Sequence, residues 1–469
     1  MKNSTPQKRI CKLLLISICL LSTIKSSDAQ TNIGGVISSN TTLLLANSPY
    51  IVTNNLLVQQ GVKVIVEPGV IFKFNQGIYL QVDGEFQAIG TTGDSIIFTT
   101  NAGVTEWNGI NFTNSSIDYN SQSGVGCILD YCIVEKVYAQ GSIAIDINAC
   151  SPKISSSSIR NCTWTGLETN GNKPHPIIVN NKIHDMGIGI IVSNNNWGLI
   201  QGNEIYNIND VEAVRLNRVV FIDNYVHDCT NAMAVRVQDT AIINNNIFEN
   251  TKVAVGIIGG DAHIIKCNTF NNNETNMVIT CERHPLLINN NFLNYSGWNV
   301  YWDDYYYPYS NGSCSNPNGS GVYATIDLAN NYWGGINNLQ MDSSIWDFSD
   351  DFSLKALISY IPALTDTVDF SQVDCSNPLA VNEIPSQNNN IDFFPNPFHD
   401  NAYLRIRGKL LNEKYDVSII NIFGTVVKKV LVTSSEMINI SRENLTSGIY
   451  FCQIISPENT RYSAKIIIQ

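Results

Sequence analysis

Two arginines and two carboxylates open the question of function. Val214-Arg215-Leu216 and Val235-Arg236-Val237 repeat one pattern, a cation between apolar neighbours. In a strand the apolar flanks point inward and the middle residue points out. Asp146 and Glu168 take the same place in two earlier segments. Two chemistries suit such a set. In a lyase-like reading, Arg215 and Arg236 neutralise a uronate while His284, Arg283 or Tyr301 supplies the base. In a hydrolase-like reading, Asp146 and Glu168 act as paired carboxylates. The plainer alternatives are a solvated face on which the arginines pair with Glu212 or Asp239, and surface acids that have no partner.

These residues share a surface only if a repeat positions them. From Pro176 to Trp333 a short phrase returns: NNKI, GNEI, DNYV, NNNI, CNTF, NNNF, NNYW. One Asn keeps its place at Asn181, Asn203, Asn224, Asn245, Asn268, Asn290 and Asn331, in steps of 22, 21, 21, 23, 22 and 41 residues. A period near 22 signals a solenoid whose units cannot bury their apolar faces alone. Each unit holds three short runs of alternating polarity, with no helical stripe. Leu is sparse and Ile, Val and Phe dominate, which favours strands over a leucine-rich repeat. The expected fold class is all-β: a right-handed parallel β-helix solenoid, followed by a small C-terminal β-sandwich. Counted from the face that carries the arginines, the Asn falls between the second and third strands. It is expected to adopt left-handed backbone geometry there and to bond its copy in the next coil.

Stacking the coils predicts three outward columns. The central one reads Asp146, Glu168, Ile191, Arg215, Arg236, Gly256, Ile279, Tyr301. The one before it is small: Ala144, Gly166, Gly189, Ala213, Ala234, Ala254, then Met277 and Asn299. The one after reads Asn148, Asn170, Ser193, Asn217, Gln238, Ile258, Cys281, Asp303. Small residues beside charged and amide groups predict room for a polymer along the face. An insertion rich in Tyr (Tyr305, Tyr306, Tyr307, Tyr309) leaves the end of this strand and suits sugar stacking. Asn217, Gln238, Asp303, Tyr305, Tyr306 and Tyr307 are the candidate substrate contacts.

Composition bounds the rest. The chain has 469 residues and a net charge of −12. Residues 30–392 carry 14 basic against 33 acidic side chains, which argues against a nucleic-acid partner. Met1–Ala29 reads as a secretory signal peptide: a basic start, the apolar core Leu13–Leu21, and Ser27-Asp28-Ala29 as cleavage site. No mature segment has the length of a transmembrane helix. No cofactor is expected, apart from a possible Ca²⁺ at Asp303, Asp304 or Asp261. His184 and His227, which share a position with Tyr206 and Phe248, read as packing. Cys267 and Cys281 read as buried thiols; Cys314 and Cys375 are the better bridge candidates. Before the regular coils, Tyr131 and Ser157 stand in the place of the Asn. Ile345 to Ile361 is expected to close the end of the stack, since an uncapped end offers unpaired strand edges.

Two stretches resemble known families. Glu67-Pro68-Gly69, Asp83-Gly84 and Trp107-Asn108-Gly109-Ile110 resemble the opening coils of exported parallel β-helix proteins, and imply that fold alone. In pectate lyase-like β-helix enzymes, the face singled out here carries the active site. The polygalacturonase set and the Arg-x-Pro-x-x-Arg signature of pectate lyases are both absent. After a polar linker, taken as residues 373–392, residues 393–469 read as about seven strands. Phe394-Pro395-Asn396-Pro397-Phe398, Val417–Gly424, Leu445–Tyr450 and Lys465–Ile468 are similar to the type A sorting domain of the type IX secretion system. Pro395, Asn396, Pro397, Gly424, Gly448 and Tyr450 carry that motif; Gln469 departs from the basic residue that often ends the family. The resemblance implies export to the surface of a Bacteroidota-type bacterium and contact with the type IX machinery. The mature solenoid, residues 30–372, is then expected to bind or process an extracellular polysaccharide, or to serve as a non-catalytic adhesin or structural surface protein.

Overall fold

The computed structural model describes residues 30–469 except 139–140, 172–174, 194–197, 260–262, 281–284, 304–323, 352–353, 355, 374, 376–390, 395–397, 407–413, 422–425, 434–437, 447, 456–460 and 469. Residues 1–29, read from the sequence as a signal peptide, Arg283, His284, Cys281, Cys314, Asp261, Asp304, the Tyr-rich insertion with Tyr305, Tyr306 and Tyr307, and Pro395, Asn396, Pro397 and Gly424 lie outside the described residues. The chain divides into two compact units, Met1–Val373 and Asp374–Gln469.

The first unit is a parallel β-solenoid. Second strands, from Thr41–Leu43 to Leu286–Ile288, stack in coil order as an 11-stranded sheet. Third strands and face strands merge into a 21-stranded sheet. They merge because Tyr225–Val237 and Ile247–Ile257 each bend from third strand to face strand without leaving strand geometry. The face strands Ile143–Asn148, Thr165–Asn170, Ile188–Val192 and Glu212–Leu216 are the ones that matter for the site.

Apolar residues of successive coils fall in register inside. Ile145, Leu167, Ile190, Val214, Val235 and Val255 pair coil to coil, and all are fully buried. Each contributes roughly 1.5–3 kcal/mol by leaving water. Phe248, Phe270, Phe292 and Trp333 stack through the interior with ring centroids 5.3, 4.5 and 4.3 Å apart.

The Asn ladder is present, with one member shifted. Asn181, Asn203, Asn224, Asn246, Asn268, Asn290 and Asn331 are each at most 1% exposed. From Asn203 onward each Oδ1 accepts the backbone N–H and side-chain Nδ2 of the Asn before it; the Asn203–Asn224 bonds are 2.9 and 3.0 Å. Asn246, not Asn245, fills the fourth place, bonding Asn224 at 2.8 Å and donating to Asn268 at 3.0 Å. Asn245 is left-handed as expected, but at the other corners the left-handed residue stands one position earlier than expected. Asn180, Asp223, Asn245 and Asn289 have φ of 57, 57, 54 and 58°, and Gly202 has 65°. The corner thus splits two duties: one residue turns the chain, and the next points its amide inward. Upstream, Ser157 donates its N–H to Asn181 Oδ1 at 3.0 Å and accepts at its Oγ from the N–H of Cys132 at 2.9 Å. The ladder position is therefore Cys132, with Tyr131 (φ 50°) as the turning residue.

The C-terminal end closes as anticipated, by more than one device. A short helix, Asn338–Asp342, starts from a capping box between Asn337 and Gln340. Ile345–Trp346 extends the large sheet beside Val300 and Tyr301. Ala324–Asp327 pairs with Ala356–Ser359 and brings Ile326 and Ile358 into the core.

The second unit is antiparallel. A three-stranded sheet (Ile391–Phe394, Asn401–Ile406, Ile438–Ser441) and a four-stranded sheet (Lys414–Asn421, Val426–Thr433, Gly448–Ile455, Arg461–Ile468) share one core. Leu404 and Ile440 from one sheet meet Val417, Ile419, Cys452 and Ile466 from the other. The first strand begins at Ile391, two residues before the boundary read from the sequence. Gly448 opens a strand that carries Tyr450, whose hydroxyl donates to Thr446 O at 2.9 Å.

Cys267 is disulfide-bonded, which overturns its reading as a free buried thiol; Cys375 is disulfide-bonded too. Among the described residues no helix is long and apolar enough to cross a membrane.

Candidate functional site

The central face column is real. Asn111, Asp146, Glu168, Ile191, Arg215, Arg236 and Gly256 pair coil to coil in unbroken register. Beyond Gly256 the partner is Val278, not Ile279, and then Tyr301 and Trp346. The same one-residue shift replaces Met277 by Asn276, and Cys281 by Thr280 opposite Asp303.

The column of small residues does not face outward. Ala144, Ala213, Ala234 and Ala254 belong to the main core, fully buried. Pairing skips this position: Glu212 pairs with Met233, and the next ladder contact is Val214 with Val235. The bend into the face strand consumes a residue, so this position and the next both point inside. Interior crowding explains the small side chains. A Cβ on Gly166 would lie 2.5 Å from Met186 Sδ and 2.8 Å from Gly189 O. The expected shelf of free space beside the charged column is therefore absent.

The two halves of the charged column differ. Glu212, 1% exposed, sits on the face strand three residues before Arg215. Its Oε1 accepts from Arg215 Nε and Nη2, and its Oε2 from Arg236 Nη1 at 3.2 Å. Asp239 pairs elsewhere, with Arg218 at 2.8 Å. Arg236 is only 6% exposed. That burial contradicts its use as an open uronate-binding cation; Arg215 keeps partial exposure. Ile191, Met233 and Val278 beside them are also buried, though they stand outside the main core.

Asp146 and Glu168 pair directly across adjacent coils and are half-buried. Burial pushes the Asp146 carboxyl above its ordinary range, opposed by a hydrogen bond from Asn170. Burial likewise pushes Glu168 up; Asn170 and Arg215 oppose it, and the charge of Asp146 adds to it. Asp146 Oδ1 and Asn111 Oδ1 are buried atoms with no hydrogen-bond partner among the described residues. Asn148 and Asn170 stand two positions on, in register with one another. The strands that carry them are neighbours in the sheet, ~4.8 Å apart.

Tyr301 sits at the far end in an aromatic cluster. Its ring lies 6.2 Å from Trp298 and 6.3 Å from Trp346, and all three are half-buried. Burial raises its phenol pKa, with Asp303 and Asp351 adding to the rise. Asn217 and Gln238 occupy adjacent coils at the end of the face strand, linked where Gln238 N–H donates to Leu216 O at 2.9 Å. Sequence reasoning missed Trp298 and Trp346. A 45-residue step separates Tyr301 from Trp346, which hides their pairing. Glu212 was visible only as a possible partner; its spacing of three residues before Arg215 was the usable signal.

On the neighbouring third strands, His184, Tyr206 and His227 stack with centroids 4.6 and 5.0 Å apart. The next residue in register is Glu249, not Phe248, which points inward. Each His bonds the following acid, His184 to Asp185 at 2.7 Å and His227 to Asp228 at 2.8 Å. This supports packing. No group of three or more metal-ligating side chains occurs among the described residues.

Comparison with known families agrees with this architecture. Residues 95–270 match the model of a right-handed beta helix region, and residues 392–469 that of a secretion system C-terminal sorting domain. The chain is a right-handed β-helix protein with a type IX sorting tail. That tail directs type IX export to the cell surface or extracellular space and engages the secretion machinery. No curated protein and no solved structure matches the chain.

Proposed function

We propose that the exported solenoid acts on an extracellular polysaccharide at the Asp146–Glu168 end of its face, with these two carboxyls as the working pair. One observation carries this reading: two directly paired, half-buried carboxyls, both pushed toward the protonated form, with Asp146 Oδ1 and the neighbouring Asn111 Oδ1 buried and without a hydrogen-bond partner among the described residues. A raised carboxyl supplies the proton a leaving sugar oxygen needs; its neighbour, when ionised, stabilises the positive charge that develops on the ring. Asn148 and Asn170 offer amides to sugar hydroxyls, and Trp298, Tyr301 and Trp346 give the far end of the face aromatic surface.

The lyase-like reading is weaker. The arginines that would hold a uronate are already tied to Glu212. Incubation with a panel of neutral and acidic polysaccharides should release reducing ends without unsaturated products. Asp146→Asn and Glu168→Gln should each abolish release by about 100-fold or more, while Arg236→Ala should leave the specific activity of the folded fraction unchanged. No product from any polymer, with binding retained, sinks the catalytic part and leaves the adhesin reading, which the closed Arg–Glu–Arg wall favours.

A further inference from the structure

A cavity of about 420 Å³ opens at the corner where third strands turn into face strands, apart from the charged column. Trp164, Asp185, Met186, Gly187, Asn209 and Asp210 line it. Its origin is local. Ile188 N–H donates to Trp164 O at 2.7 Å, and Asp210 N–H to Gly187 O at 3.1 Å, so Gly187 is clamped between neighbouring coils. A Cβ there would lie 2.8 Å from Thr163 O and 2.9 Å from Trp164 O. One coil therefore has no side chain at this corner, while the coils on either side present Trp164 and Val211, each 40% exposed. One coil earlier, Tyr138 is equally exposed. The row reads aromatic, aromatic, gap, aliphatic.

The rim is rich in hydrogen-bond acceptors. Asp185 accepts from His184 Nδ1 at 2.7 Å and Asn207 Nδ2 at 3.1 Å, which fixes its carboxylate at the edge. Asp210 is anchored through Oδ1 to Val211 N–H at 2.8 Å. Asn209 adds an amide, and no cationic side chain lines the cavity.

We infer that this corner is a binding subsite for a neutral sugar ring of a glycan. An indole offers the flat apolar surface on which the C–H face of a pyranose lies. Carboxylates and an amide around it match the outward hydroxyl donors of such a ring. The same carboxylates repel a uronate, so the corner selects against acidic polymers. The volume lies at the small end of ligand pockets, enough for one ring and part of the next. The subsite does not depend on hydrolysis at Asp146 and Glu168: it remains if no bond is ever cut there.

The test titrates the full mature chain with cellotetraose, laminaritetraose, mannotetraose and tetragalacturonate, followed by calorimetry and tryptophan fluorescence. At least one neutral tetrasaccharide should bind and shift the fluorescence. Trp164→Ala should weaken that binding about tenfold or more and remove the shift, while Trp164→Phe retains part of the affinity. Titration in the Asp146→Asn/Glu168→Gln background removes turnover, and the Trp164-dependent part of the binding and of the shift should persist there, which separates this site from the hydrolytic one. The inference is overturned if no neutral tetrasaccharide binds, if Trp164→Ala binds unchanged, or if tetragalacturonate is preferred. It is equally overturned if only tetramethylammonium, a cation suited to an indole and two carboxylates, occupies the site.

Discussion

The face column places two pairs of charged coils within a few turns of each other, and their fates are opposite. At one end, Glu212 lies between Arg215 and Arg236 and closes a trio in which Glu212 and Arg236 are buried and Arg215 is partly exposed. At the other, Asp146 and Glu168 face each other with no cation between them; Arg215 acts on Glu168 only as a minor electrostatic influence. Like charges half out of water cost free energy that a protein kept only for stability would shed. The trio belongs to the architecture of the wall, and the pair is where the proposed chemistry would sit. Register alone does not distinguish them, because the two arginines and the two carboxyls lie in the same column.

Breaking the trio should have the largest effect. Glu212→Ala leaves one buried and one half-buried guanidinium without their carboxylate, and should cost about 3–5 kcal/mol. Glu168→Ala, one strand position away in kind, should change stability by no more than about 1 kcal/mol. Urea melts of the two variants measure the contrast. Equal losses would mean that the carboxyl pair is also structural, and the comparison would fail.

A second satisfied column sharpens the point at smaller scale. Asn246 is buried, with both amide groups engaged in the ladder. Asn246→Ala should cost about 1–3 kcal/mol by stranding its partners. Asn245, its neighbour, turns the chain at φ 54° and makes an exposed bond of 2.7 Å to Asp223. Asn245→Gly keeps the turn, since glycine enters left-handed geometry freely, and should lie within about 0.5 kcal/mol of wild type. A larger loss at Asn245 than at Asn246 would misplace the ladder.

These residues also show how far the sequence could be read. The period, the stacking and the central column from Asp146 to Gly256 follow from spacing and alternation. Asn244-Asn245-Asn246 defeats spacing, because three amides in a row carry no mark of which one points inward. The small column defeats alternation: the bend makes two successive residues, Ala213 and Val214, face the core, and a strict period of two cannot express that. After Gly256 the register slips by one, for a third reason. Asn273, Asn276 and Asn299 form a buried amide chain, Asn273 to Asn276 at 3.0 Å and Asn276 to Asn299 at 2.9 Å. Buried amides read as solvent-facing when only polarity is known. Charge fate was the least legible feature, because the exposure of Arg236 and of Asp146 depends on what covers each coil.

The smallest expected effect bears most directly on the pair. Burial raises both carboxyls above the ordinary range, so the folded state holds protons that the unfolded chain releases. Stability from these groups is therefore greatest at acid pH, and falls as pH rises from the ordinary carboxylate range through the raised values. Asp146→Asn removes one charge while keeping the shape. It should melt slightly above wild type at neutral pH, and the advantage should vanish below the ordinary carboxylate range, where Asp146 is protonated in both states. Melting temperatures of the two proteins across that pH span decide the matter. A variant less stable than wild type at neutral pH would mean that favourable contacts hold the Asp146 carboxylate ionised. The pair would then be another closed cluster like the trio, with no raised proton to give to a leaving sugar.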